Sequence, residues 1–284
     1  MNALLLKTGW ACLLVLVFDQ ASAQVFVNNA GARERHFVYE VKQIDEFFER
    51  FNDDSSSFIR REYESYHKKF NLTREQLVRS LFNYETHNWD SSLIDEFVQA
   101  AVNSKKPLLL DFYGNDWFAE ANCKFEYNGS VIEIPIILRI EADARKRSKW
   151  MIAAVKHNSI KQEVQVTLAA DSLKKNKFIS PASHASNFIE LARAFEDKEH
   201  LSDYFEEGFF KRANAIGFYN ALLKNQIRFV AVKDIKYHYL QVDAWIFTVE
   251  NFQRKALNSG WLINQLKTAT EAEKKLYIRN LLEE

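Results

Sequence analysis

The sequence predicts an α+β fold in which N-terminal helices pack on an antiparallel sheet. A second lobe follows, either a tandem copy of the first or a divergent α+β unit. Three observations carry this. Apolar residues recur with a helical period up to about residue 102, the period changes to 2 after Pro107, and two alternating runs flank Asn128-Gly129. Glycine (7) and proline (3) are scarce while phenylalanine (23) is abundant, which favours long elements with bulky cores over a loop-rich fold.

The elements follow in order. Val41, Ile44, Phe47, Phe48 and Phe51 share one helical face, and Ser55–Ser57 break it before a second helix with Ile59, Tyr63, Tyr66 and Phe70. Thr73-Arg74-Glu75-Gln76 is a capping box opening a third helix with Leu77, Val78, Leu81 and Phe82 inward, and this gives Thr73 a role other than completing the sequon Asn71-Leu72-Thr73. A fourth helix, Ser91–Val102, presents Leu93, Ile94, Phe97, Val98 and Ala101. Beyond Pro107, Ala119, Ala121, Cys123, Phe125 and Tyr127 alternate with polar residues up to Asn128-Gly129, a pair that accepts the positive φ of a type I′ turn. That turn also accounts for the sequon Asn128-Gly129-Ser130. The return strand sets Ile132, Ile134, Ile136, Leu138 and Ile140 on one face. A two-residue loop pairs Tyr127 with Ser130, Phe125 with Ile132, Cys123 with Ile134 and Ala121 with Ile136, and puts Lys124 opposite Glu133. A slip by one residue would expose the whole isoleucine row.

A charged tip, Ala142–Lys149, leads to a strand from Trp150 to Val155. The lysine-rich stretch after it, with a strand at Val164, Val166 and Leu168, reads as the connection between lobes. Ser180-Pro181-Ala182-Ser183 then caps a helix burying Phe188, Leu191, Ala192 and Phe195, with Ser183 placed as the N-cap. Helical stretches with Tyr204 and Phe205 and with Ile216, Tyr219, Leu222 and Leu223 come next. Strands follow at Phe229–Val242, Trp245–Phe252 and from Trp261, and Thr270-Glu271-Ala272-Glu273 caps a C-terminal helix with Tyr277, Leu281 and Leu282. Both halves run helices, long strands, a basic loop and an aromatic-led strand. A single offset superposes Trp150 on Trp261, Leu138 on Val249 and Ile136 on Phe247. The expected organisation is a signal over 1–23, a flexible arm over 24–36, a first lobe over 37–160, a connection over 161–180 and a second lobe over 181–284.

The first residues give an address. Lys7 precedes a short apolar run, Trp10–Phe18, and Ala21-Ser22-Ala23 has the small residues a signal peptidase reads, so cleavage is expected between Ala23 and Gln24. The apolar run spans about 14 Å as a helix, too little for a hydrocarbon core of roughly 30 Å. The expectation is a periplasmic or secreted chain with no membrane span after cleavage. Basic and acidic residues balance at 38 each, which gives no support for a nucleic-acid partner. Cys12 leaves with the signal, and Cys123 alone cannot form an internal disulfide.

The helix Asp45-Glu46-Phe47-Phe48-Glu49-Arg50-Phe51-Asn52, long antiparallel strands and a closing Trp-x-Ile strand resemble the nuclear transport factor 2-like superfamily. The resemblance covers Val38–Val155 and, more loosely, Asn187–Leu266. It implies a curved sheet around a long helix with a conical pocket, a fold that hosts isomerases, dehydratases, transport adaptors and binding modules. Enzymes of that family carry an acidic base or an Asp–His pair in the cone, and no catalytic residue is carried over onto this sequence.

The motifs exclude several chemistries. Scattered glycines make neither a P-loop nor a dinucleotide fingerprint, no Gly-x-Ser-x-Gly elbow occurs, and the seven histidines lack zinc-ligand spacing, so no cofactor or metal is expected. Ser183-His184 reads as a helix cap, Arg145–Lys149 as a solvated tip, Cys123 as a buried inert thiol, and Asp111, Asp116 and Trp117 as a turn. Tyr63, Tyr66 and His67 share one side of a helix and are the candidate ligand-binding residues. The function expected is a non-catalytic binding or interaction module for a small apolar ligand or a protein partner. The alternative is a small-molecule enzyme of isomerase, dehydratase or hydrolase type.

Overall fold

The computed structural model describes residues 40–57, 59–61, 72–85, 88–143, 145, 147–157, 160, 177–212, 214–253 and 258–283. The signal, the arm and the strand expected at Val164–Leu168 lie outside them, as do Tyr63, Tyr66 and His67.

The N-terminal helices form where the apolar spacing places them. In α1 (Ile44–Asn52), Ile44, Phe47, Phe48 and Phe51 are buried, and the helix ends at Asp53 in the left-handed conformation (φ 58°). In α2 (Arg74–Ser80) the capping box is formed, with the Gln76 N–H donating to Thr73 Oγ1 (3.3 Å) and the Thr73 N–H to Gln76 Oε1 (2.9 Å). The Asp90 side chain accepts the Ser92 N–H at 2.9 Å to start α3 (Ser91–Ala101).

Strands β1 (Trp117–Tyr127) and β2 (Ser130–Ala142) meet at Asn128 (φ 50°) and Gly129 (φ 77°), and every pair expected from the sequence is present, from Ala121↔Ile136 to Tyr127↔Ser130. Lys124 does lie opposite Glu133, but the carboxylate takes its close contacts from Lys233 (2.9 Å) and Asn122 (3.2 Å). The reason is a strand that local pattern does not announce beside β1. β3 (Ser148–Val155) completes the first meander; β4 (Ile227–Tyr239), β5 (Trp245–Phe252) and β6 (Gly260–Thr268) form the second. β1 and β4 pair antiparallel from Trp117↔Tyr239 to Tyr127↔Ile227, giving one six-stranded sheet in the order β3-β2-β1-β4-β5-β6. The segments expected as separate lobes therefore contribute three strands each to one sheet and side chains to one continuous core.

The two meanders repeat one register. Leu138↔Ile152, Arg139↔Met151 and Ile140↔Trp150 in the first correspond to Val249↔Ile263, Glu250↔Leu262 and Asn251↔Trp261 in the second. The irregularity between Ile137 and Leu138 recurs between Thr248 and Val249. One row crosses the sheet as Ile152, Leu138, Ala119, Tyr237, Val249 and Ile263, with Phe205 bridging its first residue and Phe82 its last. All eight residues of that row are fully buried.

The connecting segments cross over. Residues preceding the first meander border the edge of the second: the Trp261 N–H donates to Val41 O (2.8 Å) and the Asn83 N–H to Ile263 O (3.0 Å). Residues preceding the second meander border the edge of the first, with Trp150 N–H to Ile179 O and Glu206 N–H to Ile152 O, both 3.0 Å. Gly260 makes the close approach possible. Its φ is +84°, and a Cβ there would sit 2.0 Å from Val41 O.

Between the meanders, Ser180 and not Ser183 is the cap, its hydroxyl accepting the Ala182 N–H at the start of a 3-10 turn, Pro181–Ser186. The proline fixes that first turn, leaving Ser183 inside it. Asn187 (φ 51°) and Phe188 (φ 56°) reverse the chain into α4 (Glu190–Glu196), so Ala194 is buried where Ala192 was expected. Short 3-10 turns at Leu201–Tyr204 and Phe209–Lys211 precede α5 (Ala215–Leu223), which buries Phe218 and leaves Ile216 just over a third exposed. The C-terminal helix α6 (Glu271–Glu283) starts at the expected capping box, Thr270 N–H to Glu273 Oε2 at 2.7 Å.

Candidate functional site

The best-defined polar constellation within the main core joins the two crossing segments. Asp45 stands in the first turn of α1, where a carboxylate suits the helix N-terminus. His184 stands in the Pro181–Ser186 turn, held by the Ser180 cap and by the Ser180 N–H donating to Glu190 Oε2 (2.8 Å). His184 Nε2 lies 3.0 Å from both oxygens of Asp45, and Nδ1 lies 2.7 Å from Pro181 O. Each ring nitrogen thus faces oxygen atoms, one a carbonyl and the other a carboxyl group. The imidazole is buried whereas the Asp45 side chain is 48% exposed, so the pair has one wet end and one dry end.

The dry end rests on aromatic rings. Phe112 lies 5.1 Å and Trp150 6.3 Å from the His184 ring, Trp117 packs edge-on against Trp150 at 5.1 Å, and Trp117 stacks on Tyr239 at 5.6 Å. Tyr237 and Tyr239 are fully buried, and their hydroxyls, like that of Ser183, have no hydrogen-bond partner among the described residues. Burial first pushes both phenols well above their ordinary range, joined at Tyr237 by the charge of Asp45 and at Tyr239 by Tyr237 and then Asp45, so they stand as neutral hydroxyls.

A second buried charge group is paired with two cations, though Glu206 Oε2 and Arg139 Nε meet at ion-pair distance without hydrogen-bond geometry. Glu206 is 3% exposed and is gripped by Arg139 and Arg212, each at 2.6 Å. The remaining features named in the sequence are structural. Arg147 pairs with Asp143 (2.7 Å) and Lys149 with Glu141 (3.4 Å) at the solvated tip. Burial drives the Cys123 thiol far up, which makes it inert. Asp111 closes a turn by accepting the Gly114 N–H on its carbonyl, while Trp117 belongs to the core.

The candidates Tyr63, Tyr66 and His67 lie outside the described residues. His184 was singled out in the sequence only as the neighbour of Ser183, and its partner Asp45 stands 139 residues earlier in the chain. Tyr237 and Tyr239 gave a fainter signal, two inward positions on one alternating strand. Among the described residues there is no cluster of three metal-ligating side chains and no helix long and apolar enough to cross a membrane. No protein-family model, curated protein or solved structure matches the chain.

Proposed function

We propose that this chain is an exported, non-catalytic binding or interaction module, built as two nuclear transport factor 2-like lobes fused across a pseudo-two-fold axis. The fused-copy reading is supported by the repeated register and bulge, and by the row from Phe205 to Phe82, whose three outer positions at each end match (Phe, Ile, then Leu or Val) about the Ala119–Tyr237 pair. The observation that carries the functional reading is the filling of the inner face. Where a cone would open, Phe47, Tyr239 and Phe247 pack ring on ring at 4.8–6.3 Å, with Trp117 stacked on Tyr239. The buried carboxylate of Glu206 is held between two arginines, Arg139 and Arg212. Recognition then falls to the surface and to the wet end of the Asp45–His184 pair.

One observation favours the second reading, a small-molecule enzyme of isomerase, dehydratase or hydrolase kind: buried, unpartnered tyrosine hydroxyls beside an Asp–His pair. A thermal-shift screen of apolar small molecules, lipids, sugars and nucleotides separates the two. A ligand at 100 times its Kd stabilises by about 2.7 kcal/mol. The module reading expects the stabilising compound to be recovered unchanged; recovery in altered form, with turnover abolished in Asp45→Asn, overturns it. N-terminal sequencing of the protein made in cells tests the address, with Gln24 expected as the first residue and Met1 as the refuting result.

A further inference from the structure

The sheet face turned away from the main core carries a second, smaller cluster, and α6 is the helix that covers it. Phe118, Ile137, Ala153, Ala154, Leu240 and Ile246 pack with Leu281 of α6, with Tyr277, Ile278 and Leu282 partly buried against them. Few apolar side chains take part, so polar contacts weigh heavily in holding this helix. The Lys274 ammonium donates to the carbonyls of Leu240 (3.0 Å) and Val242 (2.6 Å). The Tyr277 hydroxyl lies 2.7 Å from His238 Nδ1, and His238 Nε2 lies 3.2 Å from Glu120 Oε2.

One neutral tautomer suits this chain of contacts. Tyr277 O–H donates to Nδ1, and Nε2–H lies near the Glu120 carboxylate without hydrogen-bond geometry. The imidazole is almost wholly buried. The charged groups around it come from several elements: Glu120 on β1, Lys156 just past β3 and 4.0 Å from Glu120, and Lys236 on β4, which lies 3.8 Å from Glu250 of β5. Lys267 of β6 sits 5.1 Å over the Tyr277 ring, and Lys274 stands one turn back on α6. A second proton on His238 would aim an N–H at the phenol that now donates to it. It would also add a cation to a group already rich in lysine. Burial, opposed by Glu120, holds the imidazole below its ordinary range, and burial lifts Tyr277 to about 12.

We propose that α6 is an acid-released latch: neutral His238 holds Tyr277 and keeps the helix down, and protonation of His238 lets it lift from the sheet. The docked form binds that proton less readily than the lifted form. Docking is therefore complete above the ordinary imidazole pKa of about 6.5 and weakens as pH falls through it, by up to about tenfold per pH unit.

Hydrogen exchange on the mature chain tests this. Relative to β1 amides, and after correction for intrinsic rates, opening of the α6 amides should rise on the order of tenfold between pH 7.5 and 5.5. In His238→Gln the rise should vanish, and in Tyr277→Phe the helix should already open at pH 7.5. Equal protection of α6 at both pH values in the parent chain, or an undiminished rise in His238→Gln, overturns the latch. Should His238→Gln not fold, the ring nitrogens can be followed by NMR. Nδ1 must then titrate in step with opening, and opening without titration is refuting.

Discussion

Replacing Phe247 by alanine tests whether the two meanders share one core. The ring is fully buried and touches residues from both halves: Phe47 at 6.3 Å, Phe51 at 6.1 Å and Phe97 at 5.7 Å from the first, Tyr239 at 4.8 Å from the second. Truncating a buried phenylalanine costs about 3–5 kcal/mol through lost transfer energy and the cavity left behind. Several walls of this cavity are themselves rings, which collapse poorly, so the upper part of that range is expected, roughly 4 kcal/mol. For a chain of this size 1 kcal/mol moves the melting point by about 2–4 °C, so a fall of roughly 8–16 °C follows. Urea unfolding read by both tryptophan fluorescence, with Trp117, Trp150, Trp245 and Trp261 spread over both halves, and far-UV circular dichroism provides the assay. Both signals should shift together with an unchanged slope. A loss under about 1 kcal/mol, or a shift of one signal without the other, would refute the shared core. Val131→Ala, at an outward position near the turn where the residue is 59% exposed, is the control and should move neither.

Further outcomes follow from single sites. Gly129→Ala meets open space and should cost only the strain of its positive φ, about 1 kcal/mol, whereas Gly260→Ala must also displace Val41 and should cost several times more by chemical denaturation. Glu206→Gln leaves two arginines without their counter-charge. Because Arg139 is partly exposed, the expected loss is about 2–3 kcal/mol, checked by urea midpoint, and a neutral effect would remove Glu206 from the list of structural groups. Burial holds His157 below the ordinary imidazole range, opposed by its contact with Asn214 O, so the unfolded chain binds this proton more readily. Stability from this group is present above about pH 6.5 and lost as pH falls below it, and His157→Gln should flatten that part of the pH profile. Cys123 should resist a thiol reagent in the native state and react once urea unfolds the chain.

The local parts of this fold were legible because each rests on contacts between neighbours in sequence. The Asn128-Gly129 turn fixed the β1–β2 register to the residue, and the capping boxes at Thr73 and Thr270 placed two helix starts. What could not be read was the long-range pairing. Nothing in the alternation of Trp117–Tyr127 says that its second neighbour is Ile227–Tyr239, because an antiparallel strand with one buried face accepts any partner of like pattern. The Asp45–His184 contact failed for the same reason, since Asp45 is an ordinary first-turn acid until the fold brings a histidine to it. Ser183 was misplaced as a cap because two serines flank Pro181-Ala182, and only the position of the proline in the first turn selects Ser180.

The crossing of the connecting segments means that a cut between the halves in sequence is not a cut in space. A fragment ending near residue 157 would carry helices whose proper bed is missing and two raw sheet borders, β1 robbed of β4 and β3 robbed of the strip from Ile179 to Phe205. Neither piece could close its own perimeter. The two should be insoluble apart and should recombine when refolded as a mixture, each supplying the hem that the other lacks.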